Sequence, residues 1–263
     1  MLGLLIRRDL KSRYKDSALG FAWTLIRPIT QLAIYAIVIG KFLGAERGIP
    51  LFAIYIFTGL TLYTLFQEIL TAGTSSILAN ASLVKKIYVP RELFPLASAG
   101  TALFNFCVQL AVLLVASALF GNLMVTTDLI YAVPAVLVVV TYGLAFAFLL
   151  SATNVFLRDI GYLVEILAMI LMWASPILYS WTMVRDTLHA AGLDWLVTLY
   201  TWNPITLAVL GFQRAFYHNS LHGLETPEHL GAQIAIVLFT GLILLWLCHR
   251  VFRKVQGNFA QEL

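Results

Sequence analysis

The sequence predicts an all-α integral membrane domain. It has six transmembrane helices, an N-terminal amphipathic helix at the membrane interface, and re-entrant outer helices between the last two spans. Three observations carry this. Of 263 residues, 60% are hydrophobic and 11% charged, against about 25% charged in soluble domains, so lipid is the natural solvent. Apolar runs recur at lengths that cross about 30 Å of hydrocarbon as helix, about 20 residues each. Basic residues gather in the turns that a six-span path places on one face.

The elements follow in chain order. "MLGLLIRRDLKSRYKDSALGFAW" sets Leu2, Ile6, Leu10, Tyr14, Ala18 and Phe21 along one helical stripe, with Arg7, Arg8, Lys11 and Lys15 opposite. Such a basic amphipathic helix, within residues 1–27, lies in the headgroup plane. Its polar face either anchors to lipid or docks a soluble partner. Its five apolar starting residues are too few for the core of a cleavable leader, so none is expected. Spans are predicted at 28–45, 51–72, 95–120, 129–155, 160–181 and 231–249. Without a Gly/Ser-rich linker or a repeat, residues 1–263 read as one domain.

A seventh apolar stretch, 193–215, is broken at Asn203-Pro204, where proline removes a donor and disfavours helix in the preceding residue. Parity decides its treatment. With six spans, one face holds Arg7, Arg8, Lys11, Arg13, Lys15, Arg27, Lys85, Lys86, Arg91, Arg158, Arg250, Arg253 and Lys254, which is 13 of the 17 Lys and Arg. Lys41, Arg47, Arg185 and Arg214 remain on the other. Both termini are therefore expected in the cytoplasm. Residues 186–220 are expected as a pair of short helices that dip into the outer leaflet without crossing, tolerable where protein or a water-filled cavity surrounds them.

Between the second and third spans lies 78–94, containing "LVKKIYVPRELFPLA", too short and too charged to cross. Leu83, Val84, Lys85, Lys86 and Ile87 predict a short helix ending before Pro90. Such a proline-stopped helix either transmits a push from a soluble subunit, or its cations merely fix topology and touch lipid phosphates.

"RRDLKSRYKDSALGFAWTLIRP", "NASLVKKIYVPRELFPLA", "NVFLRDIGYLVEI", "SPILYS", "WNPITLAVLGFQRAF" and the tail "VQGNFAQEL" resemble, in order and over nearly the whole chain, the membrane subunit of ABC-2 type polysaccharide exporters. That group includes permeases for O-antigen, capsule, teichoic acid and galactan. The resemblance implies a permease in the cytoplasmic (inner) membrane, serving lipopolysaccharide or cell-wall biogenesis. It works as two copies with two ABC ATPase subunits, and its substrate is a lipid-linked polysaccharide. An ABC-2 permease for a small drug or lipid is the alternative. The resemblance also implies ATPase contact through Arg7, Arg8, Arg13 and Tyr14, and through Leu83 to Arg91, including Lys85, Lys86, Ile87 and Tyr88. The outer re-entrant helices match the dip drawn from parity.

No GxxxxGK[ST] phosphate loop is present, and "IGKFLG" lacks the spacing. The chain is therefore expected to be non-catalytic and to bind no cofactor, with ATP and Mg²⁺ on the partner ATPase. Sugar chains offer hydroxyls and flat C–H faces to aromatic rings, and a conduit needs many weak contacts. The candidates are Tyr35, Tyr55, Tyr63, Phe66, Phe104, Tyr142, Phe146, Trp173 and Tyr179, of which Tyr55, Tyr63 and Phe66 share a helical face with Gly59 and Leu62. The same rings equally suit membrane interfaces and lipid contact.

Glu68 and Glu165 are the acids nearest span interiors, where an ionised carboxylate costs about 2.5–3.5 kcal/mol at the centre. Neither should face lipid at depth. Arg158, Asp159 and Glu165 form an entrance cluster, for pairing, for a substrate headgroup, or as a water-accessible span end. Gln31, Gln67, Asn105, Gln109 and Asn154 either line the conduit or join helices. Cys107 and Cys248 read as small buried hydrophobes. His218 and His222 have i, i+4 spacing, but Asn219, Ser220 and Gly223 break the helix a metal pair needs, so no metal site is expected. Spread-out basic residues suit anionic lipid rather than nucleic acid. Embedded ionisable relays and repeat symmetry, which a secondary transporter needs, are scarce.

Overall fold

The computed structural model describes residues 1–14, 22–42, 49–86, 89–121, 126–217 and 225–262. Among the described residues twelve α-helices follow one another: α1 Leu2–Tyr14, α2 Ala22–Ile34, α3 Phe52–Ala79, α4 Ala81–Lys86, α5 Leu93–Leu119, α6 Ala132–Phe156, α7 Ile160–Trp173, α8 Trp181–Ala190, α9 Asp194–Thr201, α10 Pro204–Phe216, α11 Leu230–Val255 and α12 Phe259–Glu262. A π-helical run, Tyr35–Phe42, extends α2, and a 3₁₀ turn, Thr127–Tyr131, leads into α6. No strand occurs among the described residues.

α3 is the central pillar. It is apolar on nearly every side, and a helix of that kind must be enclosed; α5, α6, α7 and α10 pack around it. The α3–α6 crossing is close because Gly73 faces Ala147: a Cβ on Gly73 would stand 2.5 Å from that alanine's methyl. Small residues at such crossings let helix backbones approach where lipid supplies no hydrophobic drive. Polar side chains brace the same pillar. Asn105 on α5 donates to Glu68 at 2.7 Å, which meets the expectation that Glu68 avoids lipid. Asn154 donates to the Thr74 carbonyl at 3.2 Å and accepts from the Gly161 amide at 3.1 Å, fastening α6, α3 and the start of α7 together.

Four long helices, including the one that begins at Thr127, match predicted spans to within a few residues at most ends; α3 runs on to Ala79 and α11 to Val255. Three expectations need correction. The first span begins at Ala22 rather than 28, with Pro28 inside the helix. The fifth ends at Trp173 rather than 181. Its 14 residues rise about 21 Å, less than the hydrocarbon thickness. The cause is Ser175-Pro176, since the residue before proline resists helix. Cys107 is exposed on the bundle surface, whereas Cys248 is buried as expected.

α1 and the C-terminal helices α11 and α12 are both fastened at one end of the bundle. Arg8 on α1 bonds Asn80 at the foot of α3, and Glu92 at the start of α5 pairs with His249 and Arg253 on α11. The Phe259 ring of α12 meets Phe156 at the end of α6. At the opposite end, the Tyr217 hydroxyl donates to the Pro50 carbonyl and Arg214 pairs with Asp128 at 2.9 Å. Of the described basic residues, Arg7, Arg8, Lys11, Lys85, Arg91, Arg158, Arg250, Arg253 and Lys254 belong to elements at the first end.

The outer segment is three helices rather than a pair, and starts at Trp181. α8 is capped by the Ser180 hydroxyl, which accepts from the Met183 amide at 3.3 Å. Gly192, at φ +69°, ends it, and the Leu193 amide bonds back to the Leu188 carbonyl. α9 and α10 meet at 71°. Asn203 caps α10 by accepting from the Ile205 amide at 3.1 Å, with Pro204 as the first helical residue, where its missing donor costs nothing. Tyr55 near the head of α3 touches both limits of the segment. Its hydroxyl lies 2.9 Å from the Tyr179 carbonyl, and its ring centre is 5.1 Å from that of Tyr217. Residues 179–217 therefore leave and return at the same point on α3.

Candidate functional site: the basic platform and the buried tyrosines

Asn80 is the pivot of the basic end. Its amide nitrogen donates to the Ser76 carbonyl at 2.9 Å and its backbone amide bonds Ile77, so it closes α3. Its own carbonyl then accepts from Leu83 and Val84, starting α4. The Arg8 guanidinium donates to the Asn80 side-chain oxygen at 2.7 Å and to Asp9 at 2.7 Å. Ile6, two residues away, lies over Gly100, where a Cβ would come within 2.4 Å of its terminal methyl. Only glycine leaves room for α1 to dock this closely on α5. A cleft of about 650 Å³ opens beside this joint, with Ser75, Ser82, Ser98 and Thr101 on its walls.

The other half of the platform joins the loop to the C-terminal tail. Glu92 accepts from His249 Nε2 at 3.1 Å and lies 3.5 Å from Arg253 Nε. The Arg91 guanidinium sits 5.6 Å from the centre of the Phe259 ring. Beneath it Ile77, Val84, Phe94, Phe148, Phe252 and Phe259 form an apolar cluster separate from the main core. Burial at this end fixes α4, the Pro90–Glu92 turn and the tail as one unit, so a displacement of one is felt by the others.

The sequence-predicted contact residues fall here. Arg7 and Lys85 are exposed, Arg8, Leu83 and Arg91 line the clefts, and α4 covers Ala81–Lys86 of the predicted short helix. The side chains of Arg13, Tyr14 and Lys86, and all of Ile87 and Tyr88, lie outside the described residues. Sequence reasoning missed Asn80, Glu92, His249 and Phe259. Asn80, polar at the end of a long apolar helix, carried a helix-stop signal; the partners of Glu92 carried none.

The conduit candidates separate. Tyr55, Tyr63 and Phe66 are buried inside the bundle. The Tyr55 hydroxyl lies 3.1 Å from the Pro176 carbonyl as well as against Tyr179, and Tyr63 donates to the Ala168 carbonyl. Gln213 also donates to Pro176, at 3.0 Å. The backbone groups freed where α7 stops are thus met by side chains, as a low-dielectric setting demands. Tyr142 is half-buried, with its hydroxyl 3.0 Å from that of Thr240. Tyr35, Phe104 and Phe146 are also half-buried. Tyr179 donates to the Trp173 carbonyl, and Trp173 itself is 57% exposed. Arg158, Asp159 and Glu165 are all exposed, and no ion pair joins them.

Outside the bundle, Glu225 and Asp186 hydrogen-bond Arg185 and hold its guanidinium proton more firmly than usual. No cluster of three metal-ligating side chains exists among the described residues; His218 and His222 lie outside them.

A bundle of membrane-length apolar helices, a basic platform at one end and a bent helical segment at the other define a multi-pass integral membrane protein. The chain belongs to the ABC-2 type transporter family, whose model matches residues 2–217. It is similar to an O-antigen export system permease protein, RfbA, of Myxococcus xanthus, with 29% identity over 259 residues, 98% of this chain and 94% of that one. Two Klebsiella pneumoniae proteins of the same name are 27% and 26% identical over 266 residues, each covering 100% of this chain and 95% of theirs.

Proposed function

We propose that this chain is the permease subunit of an ATP-driven exporter that moves a lipid-linked polysaccharide across the cytoplasmic membrane. Two copies work with two ABC ATPase subunits, which bind the ATP and Mg²⁺; the permease itself is not catalytic. Both termini face the cytoplasm, because the basic end of the bundle is the cytoplasmic end. Residues 181–216, the helices α8 to α10, form a re-entrant outer segment. The reading is supported most by the platform. Of the residues that the family resemblance assigns to ATPase contact, Arg8 and Arg91 lie at one end of the bundle and are tied to Asn80 at the end of α3 and to Phe259 of the C-terminal tail.

The polymer's route lies at the seam between two copies. Both tyrosines of α3, Tyr55 and Tyr63, are enclosed and hydrogen-bonded within one protomer, which leaves no place for a sugar chain along that face. α7 supports the seam. Only Val164 and Ala168 of its 14 residues are buried, and Glu165 is exposed among Tyr162, Ile166, Met169 and Trp173. A carboxylate on an outward helix face needs water or protein beside it rather than lipid.

Purification in mild detergent with mass spectrometry of both protein and glycolipid tests the proposal. An ABC ATPase and a lipid-linked glycan should co-purify. A reproducible small drug or unglycosylated lipid in place of the glycan would overturn the substrate assignment.

A further inference from the structure

We propose that the uncovered stripe of α3, from Ser75 up to Thr64, is a water-wetted track that hydrogen-bonds hydroxyls of the translocating glycan. This track presupposes the glycan exporter proposed above and adds the surface along which the sugar passes.

α3 is the most enclosed of the long apolar helices, with 20 of its 28 residues buried. The uncovered positions, 64, 67–68, 71–72, 75 and 78–79, recur at steps of three and four, so they form one face of the helix. Five of them, Thr64, Gln67, Glu68, Thr71 and Ser75, are polar, and only Leu78 is large and apolar. Elsewhere the bundle does the reverse. Exposed side chains include Phe239, Leu242 and Ile243 on α11 and Leu114 and Val115 on α5, as contact with hydrocarbon requires. A stripe of hydroxyls, an amide and a carboxylate is costly against lipid. Its depth makes that cost acute. At 1.5 Å per residue Glu68 stands about 17 Å from the Ala79 end of α3, near the middle of roughly 30 Å of hydrocarbon.

Flanking contacts locate the stripe. Glu68 accepts from Asn105 of α5 at 2.7 Å, and Tyr63, one turn above Gln67, donates to the Ala168 carbonyl of α7. The polar face is thus the strip of α3 between α5 and the sparsely buried α7 that supports the seam. Its hydroxyl protons are turned inward. Thr71 donates to the Gln67 carbonyl at 2.8 Å, and the Ser98 hydroxyl of α5 lies 3.3 Å from the Ala72 and Phe94 carbonyls. What these hydroxyls keep for a visitor is acceptor oxygen, with two lone pairs each. A carboxylate accepts at about four positions, so the Asn105 bond orients Glu68 without exhausting it. Acceptors in a row suit hydroxyl donors, which sugar rings carry, and repel phosphate. A second copy does not fit the same surface: twofold symmetry sets a face against itself, and two Glu68 carboxylates would oppose each other. Hydrogen bonds exchanged with water are individually weak on balance, as a surface along which a chain slides requires.

Accessibility of introduced cysteines tests the track, in the complex with its ATPase reconstituted into liposomes. In a Cys107→Ala, Cys248→Ala background, Gln67→Cys and Thr71→Cys are treated with an impermeant cationic methanethiosulfonate from the ATPase side. A thiolate forms readily only where the thiol meets water, so both should label about tenfold faster than Val115→Cys on the exposed face of α5 and Ile69→Cys on the buried face of α3. Glycolipid recovered from the purified complex should suppress labelling at both stripe positions. If neither variant accumulates, Thr64→Cys, higher on the same stripe, gives the same reading. Labelling no faster than at Val115→Cys would overturn the proposal, because protein would then cover the stripe. Rapid labelling that the glycolipid leaves unchanged, in a complex that moves glycan, would overturn it while sparing the exporter reading. A complex that holds and moves no glycan would refute that reading and the track with it.

Discussion

Breaking the joint between Arg8 and Asn80 should loosen α1 and weaken coupling. The 2.7 Å contact is a hydrogen bond to a charged group, worth about 1.5–3 kcal/mol when protected from water. The Arg8 side chain is 42% exposed and shared with Asp9, so solvent screening reduces the figure to about 1 kcal/mol. A double-mutant cycle of Arg8→Ala and Asn80→Ala isolates that contact from the separate loss of Asp9's partner and of the Asn80–Ser76 bond. The assay is hydrogen–deuterium exchange of α1 amides in the purified complex. Each single variant should raise the open population about fivefold, and the double variant should fall short of the product by a similar factor. α1 should still associate through Ile6 on Gly100, so membrane insertion is retained. Strict additivity, with a coupling below about 0.3 kcal/mol, would refute the claim that this bond fastens the amphipathic helix to the corner between α3 and α4.

Three further predictions follow from the packing. Gly73→Val should destabilise the protein by about 1–3 kcal/mol, because even its Cβ would meet Ala147 at 2.5 Å; an unchanged melting temperature in detergent would contradict the close α3–α6 crossing. Tyr55→Phe removes the hydroxyl that meets the Pro176 and Tyr179 carbonyls. Because interhelical hydrogen bonds in membranes measure about 0.6 kcal/mol on average and about 1.7 at most, the thermal melt should shift slightly downward, and a loss above about 3 kcal/mol would show a different role. Asp186→Cys, on exposed α8, should react with an impermeant thiol reagent from the outer face only; labelling solely from the cytoplasm would reverse the topology.

Much of the fold is written locally. Apolar length sets α3, α5, α6 and α11, and Asn203-Pro204 both breaks the outer segment and starts α10, because asparagine caps where proline's absent donor is harmless. The shortened α7 was also legible in Ser175-Pro176, but the apolar run continues past it to Trp181 and hydropathy alone carries the span too far. The aromatic face of α3 shows where the periodicity signal ends. Spacing places Tyr55, Tyr63 and Phe66 on one face, and the structure keeps them there. What lies opposite is set by α7 and α10, residues more than a hundred positions away. Likewise nothing in a local pattern links Glu92 to His249, or Arg8 to Asn80; those contacts arise only when the helices are assembled.

The decisive measurement is glycan passage in sealed proteoliposomes containing the purified permease, with and without its ATPase and ATP. Passage should require both the ATPase and hydrolysable ATP, and a Lys85→Ala, Lys86→Ala and Arg91→Ala triple variant should insert normally yet hydrolyse ATP without moving glycan. Transport by the permease alone, or undiminished transport per ATP in the triple variant, would contradict a gate driven through its basic inner platform.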